Sequence, residues 1–296
     1  MTTRTIVLGA AGFIGRHLCR RLDATGENVL GFDVVSAADE PVESRALDVT
    51  NEAPDCAGAD AVIYLSQSPH YRDFAERGDH LFEVNVTGAL RAAVAARQAG
   101  VKTFLYASTG SVYAPSFAPL REDAPVRRDD PYALSKITAE NALDLIDSPM
   151  RVAHFRLFGA FGPDQRTMLV PAIIGRVQRG DPITLERNPE DPSDEDGLRI
   201  SLTFVDDVVD CLVALRDRAI AGQDVPGVVN VAAPEAISMR RLGGAIAEHL
   251  GIEPRFELLD RPRSSDFIAD TTLLESLIEA RFTDFDTAIG KTVASL

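Results

Sequence analysis

The stretch Gly9-Ala-Ala-Gly12-Phe-Ile-Gly15 constrains this chain more than any other. It joins an apolar run, Thr5–Gly9, to a segment in which Ile14, Leu18 and Leu22 fall on one stripe at helical spacing. Glycine at a strand end permits a tight turn. Glycine at the start of a helix lets an anion reach backbone N–H groups, where the helix dipole also favours negative charge. A third glycine lets the helix pack closely on the strand. The string alone is a weak signal, and its place between strand and helix gives it weight. A strand over Thr5–Gly9 and a helix over Phe13–Thr25 are therefore predicted.

The rest of the first half keeps this rhythm. Strands are predicted at Asn28–Asp33, Ser44–Val49, Asp60–Ser66, Thr103–Ser108 and Arg151–Phe158. Helices are predicted at Phe82–Gln98, closed by Gly100, and at Tyr132–Asp147, stopped by Ser148-Pro149. Near-continuous apolar strands such as Asp60–Ser66 are those of a sheet buried on both faces. Strand–helix alternation implies an α/β fold with a doubly wound parallel sheet. From about Gly162 the pattern breaks. Prolines appear, and the acidic segment Asn188–Gly197 reads as a solvated loop without the ordered ligand spacing of a calcium loop. Beyond it a strand (Gly227–Ala232) and helices (Met239–Leu250, Asp270–Glu279) suggest a smaller C-terminal α/β lobe. The expected division is a dinucleotide-binding domain at 1–162 and a mainly substrate-binding lobe at 163–296, with about 200–215 returning to the first domain.

Composition excludes several classes of function. The 45 acidic residues against 30 basic ones leave a net charge of −15, which repels nucleic acid and anionic membranes. No apolar run approaches the ~18 residues of a membrane span. The N-terminus reads as a buried strand and turn, with no cleavage site of a signal peptide. Cys19, Cys56 and Cys211 are too few and too scattered for a disulfide framework or a zinc site, so a reducing cytoplasm and no metal are expected.

Several residues carry candidate chemistry. Asp33, at the end of the second strand, can accept hydrogen bonds from the adenosine ribose hydroxyls and would repel a 2′-phosphate, which favours NAD over NADP. Asp48-Val49 either meets the adenine, with Asp48 at its amino group and Val49 under the ring, or simply caps a turn. Tyr132 and Lys136 lie one helical turn apart and share a face. A phenol is a poor base at neutral pH, and a nearby ammonium stabilises the phenolate; the same ammonium can bond the nicotinamide ribose. Thr109 or Ser111, after a buried strand, can hydrogen-bond a substrate oxygen, or each can cap a turn.

These elements, with VNVTGAL (Val84–Leu90), YASTGSVY (Tyr106–Tyr113), PYALSKITAE (Pro131–Glu140), RLFGAFGP (Arg156–Pro163), TFVDDVVD (Thr203–Asp210) and VNVAAPEAISMRRL (Val229–Leu242), run in order across nearly the whole chain. The sequence resembles the extended short-chain dehydrogenase/reductase superfamily, in its NAD-dependent epimerase/dehydratase branch. The resemblance implies a Rossmann domain that binds NAD through Gly9, Gly12, Phe13, Ile14, Gly15, Asp33, Asp48 and Val49. It implies Tyr132 as general base, assisted by Lys136, with Thr109 completing the catalytic group. It places Leu65-Ser66 along the cofactor ribose, Phe158 beside the nicotinamide, and Asn85 as a structural or site-facing residue. It also implies a homodimer built on the helices spanning Val84–Gln98 and Tyr132–Asp147. Three features depart from the family pattern. Gly110-Ser111 replaces the Asp-Glu pair of 4,6-dehydratases, which argues against dehydration. Gly159 and Ile200-Ser201-Leu202 replace groups with which relatives hold a nucleotide diphosphate. The acidic segment has no counterpart. Ser111, Asn85, Arg166, Arg199 and Arg263 are candidate substrate contacts, with Arg176 a further possible anion holder. The leading expectation is an epimerase-like oxidoreductase acting on a secondary alcohol of a sugar or sugar nucleotide. The alternatives are a dehydrogenase of a free sugar, sugar acid or other alcohol, and a non-catalytic dinucleotide sensor on the same fold.

Overall fold

The alternation of apolar runs and helical stripes folds into one parallel sheet with helices on both faces. The computed structural model describes residues 3–35, 42–146, 149–191 and 193–296. The first strands and helices are β1 (Arg4–Leu8), α1 (Phe13–Ala24), β2 (Asn28–Asp33), β3 (Glu43–Ala46), β4 (Ala61–Tyr64), α2 (Phe74–Phe82), α3 (Ala89–Gln98), β5 (Thr103–Thr109), α4 (Pro131–Leu143) and β6 (Arg151–Leu157). There follow β7 (Ala160–Phe161), α5 (Leu169–Arg179), β8 (Ile183–Arg187), β9 (Arg199–Ser201), β10 (Thr203–Phe204), α6 (Val205–Ile220), β11 (Val228–Val231), β12 (Ala236–Ser238), α7 (Met239–Leu250), β13 (Phe256–Pro262), α8 (Thr272–Leu277) and α9 (Phe285–Ala294). The central sheet has the order β11-β6-β5-β4-β1-β2-β3, and every pairing in it is parallel. From β1 the chain winds first toward β2 and β3, then back across to β4, β5 and β6. That reversal opens a crevice at the carboxyl ends of β1 and β4, where open α/β sheets take their ligands.

Two apolar layers sandwich the sheet. On one face Tyr64, Tyr106, Ala92, Ala96 and Leu143 pack α3 and α4 against the strands. On the other, Leu18 and Leu22 of α1 meet Leu212 and Leu215 of α6 and Phe155 and Val229 of the sheet. A separate core, with Ile174, Leu185, Ile246 and Ile289, holds α5, α7 and α9 against β8 and β13.

The structure departs locally from the sequence reading. The third strand ends at Ala46, so Asp48 and Val49 lie in the turn beyond it. The helix expected from Phe82 begins at Phe74 and widens at Glu83–Gly88 before α3. The widened turn follows the Tyr64 phenol, which donates to the Val84 carbonyl at 2.6 Å and leaves only 2.9 Å for a Cβ on Gly88. Helix α4 starts one residue early, because the Asp130 carboxylate caps the Ala133 N–H at 2.8 Å and Pro131 suits the first turn. Its expected end, Asp147, and the stop at Ser148 lie outside the described residues. The expected Asp270–Glu279 helix is only the short α8. The sequence reading did not anticipate α5, α6 or α9. In the acidic segment Asp191, Ser193 and Glu195 are exposed, whereas Asp194 is buried and ion-paired with Arg263 at 2.8 Å.

Candidate active site

A cavity of about 860 Å³ occupies the crevice and runs from the glycine turn past α4 to the C-terminal lobe. At its floor, Gly9 has φ +84° and its N–H donates to the Phe32 carbonyl at 2.8 Å. A Cβ on Gly15 would stand 2.1 Å from the Gly9 carbonyl, so glycine is required for α1 to approach β1. Gly12, Phe13 and Ile14 complete the turn on the cavity wall. Asp33 borders the same wall, and its carboxylate accepts the Ala11 N–H at 3.0 Å, which fixes it beside the turn. This is a backbone cradle for a pyrophosphate with a carboxylate beside it at the strand ends, and a dinucleotide fits it. Asp48 is placed at the cavity and in its own turn. It borders the cavity, and it caps its own turn through the Thr50 N–H and hydroxyl (2.9 and 2.7 Å), which hold its carboxyl below the usual range. Val49, Leu65 and Ser66 also face the cavity.

The candidate catalytic residues lie deeper in. Helix α4 delivers Tyr132 and Lys136 to the wall formed by the end of β5, next to Thr109 and Ser111. Lys136 is buried. Its Nζ donates to the Ala107 carbonyl at 2.8 Å and lies 4.8 Å from the centre of the Tyr106 ring and 6.0 Å from that of Tyr132. Burial pulls its pKa down to about 7, opposed by the Glu140 carboxylate one turn further on. Burial likewise pushes the Tyr132 phenol up, against the Thr109 hydroxyl beside it. The Lys136 ammonium therefore sits where it can steady a phenolate, while the free cavity keeps Tyr132 protonated. Thr109 accepts the Ser111 N–H at 3.1 Å, which orients its hydroxyl. Behind the wall, Ser108 donates to Glu140, and Arg156 reaches both Glu140 oxygens (3.1 and 2.7 Å). This buried ion pair ties β5, α4 and β6 together.

Gln67 was missed by the sequence reading. The Tyr132 hydroxyl donates to its Oε1 at 2.9 Å. Its only signal was its place just after β4, at a strand end that faces the crevice. Tyr71, from the same loop, packs its ring 5.5 Å from that of Tyr132 and donates to Met168 Sδ at 3.3 Å, joining the two sides of the cavity.

Six expected residues do not reach the wall. Phe158 is fully buried behind Gly110, stacked between Tyr113 (6.1 Å) and Phe267 (4.7 Å); its neighbours Leu157 and Gly159 face the cavity instead. Asn85 is buried and structural, accepting the Ser68 N–H (3.2 Å) and donating to Ser135 (3.0 Å). Arg166 and Arg199 are exposed away from the wall. Arg263 is buried against Asp194 and Asp266, each at 2.8 Å, and has no free face for a substrate. Arg176, also away from the wall, donates to the Pro182 carbonyl at 2.9 Å. Burial raises the Cys56 thiol to about 11 and that of Cys211 to about 12, so neither is a nucleophile at neutral pH. Among the described residues no cluster of three or more His, Cys, Asp and Glu side chains is set to hold a metal ion. No described helix is long and apolar enough to cross a membrane. A second cavity, of about 710 Å³, lies at the amino ends of β5 and β6, where Lys102 and Arg151 are already paired with Asp60 and Asp224.

The NAD dependent epimerase/dehydratase family matches residues 5–232. The chain belongs to that family. It is 30% identical over 275 residues to a UDP-glucose 4-epimerase of Mycolicibacterium smegmatis, covering 86% of this chain and 85% of the relative. The fold matches MoeE5, solved in complex with UDP-glucose and NAD, with a TM-score of 0.81 at 25% identity, covering 99% of this chain and 98% of the other. A dTDP-glucose 4,6-dehydratase of Streptomyces griseus is 29% identical over 280 residues, covering 86% of this chain and 80% of the relative. The comparisons therefore do not support the expectation that set dehydration aside.

Proposed function

We propose that the protein is an NAD-dependent, epimerase-type oxidoreductase acting on a secondary alcohol of a sugar or sugar nucleotide. The observation that carries this reading is the convergence, in one cavity, of the glycine cradle with Tyr132, Lys136 and Thr109. NAD, when bound, supplies the acceptor for the hydride of the alcohol carbon. Tyr132 Oη takes the hydroxyl proton as that carbon is oxidised. Lys136 holds the phenolate by charge and would hydrogen-bond the ribose of a bound NAD. Thr109 stabilises the oxygen of the resulting ketone. Reduction from the opposite face then inverts the centre, with Tyr132 returning the proton.

A second reading is a dehydrogenase of a free sugar or other alcohol that releases NADH, favoured by the uncharged C-terminal wall of the cavity. Incubation with NAD and a panel of sugar nucleotides and free sugars separates the two. Inverted product without net NADH supports epimerisation. NADH accumulating in step with substrate overturns it in favour of the second reading.

We also propose a homodimer in a reducing cytoplasm. Leu90 and Val94 of α3 and Leu134 of α4 present a partly exposed apolar face suited to a second copy. Sedimentation at micromolar concentration should give twice the chain mass; the mass of a single chain would remove this assignment.

A further inference from the structure

We propose that Gln67 is a positioning residue for Tyr132: its amide carbonyl anchors the phenol hydroxyl in the protonated state and so sets when that group can take a proton. The inference rests on the reading of Tyr132 as the base and adds a residue to it.

The segment that carries Gln67 is fixed on both sides. Before it, the Leu65 N–H donates to the Leu8 carbonyl at 2.8 Å. After it, the buried Ser68 donates its N–H to Asn85 Oδ1 at 3.2 Å, and its hydroxyl is bonded to the His80 ring at 2.8 Å. Asn85 passes the link on. Its Nδ2 donates to Ser135 Oγ at 3.0 Å, and the Ser135 hydroxyl donates to the Tyr132 carbonyl at 2.8 Å. The backbones at Gln67 and Tyr132 are thus tied through Ser68, Asn85 and Ser135. The bond from Tyr132 Oη to Gln67 Oε1, at 2.9 Å, closes the ring. Gln67 itself is exposed and borders the cavity, so no core packing dictates its type. A carbonyl oxygen can only accept. It binds the phenol, which has a proton to give, and disfavours the phenolate, which has none. The Thr109 hydroxyl acts the other way, because it can donate to the phenolate. The titratable groups around the ring are Asp130 and Lys136 of α4 and its cap, Tyr106 of β5 and Tyr71 of the loop after β4, with His80 of α2 on the same cavity. Lys136 supports the phenolate by charge, and Gln67 opposes it without charge. The proton held at Gln67 must leave before Oη can accept another.

The test places 3,5-difluorotyrosine at position 132 of the full chain and follows its fluorine resonance by NMR against pH. The fluorines make the phenol more acidic, and the signal reads the ionisation of that ring alone without any substrate. Gln67→Leu removes the acceptor and should lower the midpoint by at least about half a pH unit. Gln67→Glu puts a charged acceptor in the same place and should raise it by at least about one unit. A merely structural residue would leave both midpoints in place or move them the same way. Opposite shifts support the proposal; a Leu variant that titrates like the parent, or shifts of one sign, overturns it. In turnover with natural Tyr132, the acid limb of kcat should move with the same signs. NAD affinity of the parent is measured alongside by calorimetry. Its absence would remove the functional reading, while the link between Gln67 and Tyr132 would still stand or fall by the resonance.

Discussion

The two walls of the cavity are built by different rules. The wall formed by β1, β2, β4, β5 and α4 is made of special positions: a positive-φ glycine, a helix that can approach only without a Cβ, a carboxylate tied to the turn, and a Tyr–Lys pair on one helical face. The wall contributed by β9, the loop before α5 and Phe267 is uncharged and mostly apolar, with Gln165 and the positive-φ Met168 among Leu169, Ile200, Leu202 and Phe267. Under the proposed function the first wall would carry the chemistry, and the second would take the part of the substrate that does not react.

The sharpest way to break this division is Tyr132→Phe. It removes the proton acceptor and leaves the cradle untouched. Turnover should fall by roughly 10²–10⁴-fold, while NAD affinity by calorimetry stays unchanged. Equal loss of NAD binding would show that the two functions of the first wall are not separable.

Arg263→Met tests the second side. With the cation gone, the buried carboxylates of Asp194 and Asp266 keep only backbone N–H donors and a 3.9 Å contact from Asp194 to Arg199. The cost should be about 3–5 kcal/mol of stability, read by urea unfolding. A variant of normal stability but raised KM would return Arg263 to the substrate and redraw the wall.

Asp33→Asn removes charge but keeps an acceptor for the Ala11 N–H. The preference for NAD over NADP should fall by about tenfold, read as the ratio of the two dissociation constants. An unchanged ratio would mean that Asp33 serves the turn alone.

How much of each wall was legible follows from the same contrast. Gly9, Gly15, Asp33, Tyr132 and Lys136 can be read in the sequence because backbone conformation and proton chemistry admit few residue types at those places. Ile200, Leu202 and Phe267 carry no such mark. They meet because the Phe267 N–H donates to the Arg199 carbonyl at 2.8 Å and the Ser201 N–H to the Phe267 carbonyl at 2.9 Å, a pairing of distant segments that no local pattern announces. Phe158 was placed by its motif on the right strand, yet its ring fills the space behind Gly110, and burial decides that where spacing does not. Gln67 has no motif at all. Helices α5, α6 and α9 escaped notice because proline and acid runs around them mask their stripes. Arg263 shows the opposite error, since a lone arginine in a sequence suggests an anion site, whereas the fold had already given it two carboxylates.

The smallest expected effect probes the first wall without any ligand. Burial lowers the Lys136 pKa from its ordinary 10.5 to about 7. Between those values the unfolded chain holds a proton that the folded chain has lost, so this group makes stability rise with pH across the window. Below about pH 7 the folded protein carries the full cost of a buried ammonium. Lys136→Met removes that cost and also the bond to the Ala107 carbonyl, but only the first varies with pH. Relative to the parent protein, the Tm of the NAD-free variant should be highest near pH 6 and decline toward pH 10, by on the order of 5 °C across the range. A difference that stays flat would mean that the ammonium is solvated in the free protein. The first wall would then be an open surface that closes only when the dinucleotide arrives, and its likeness to the second wall would be greater than the static structure indicates.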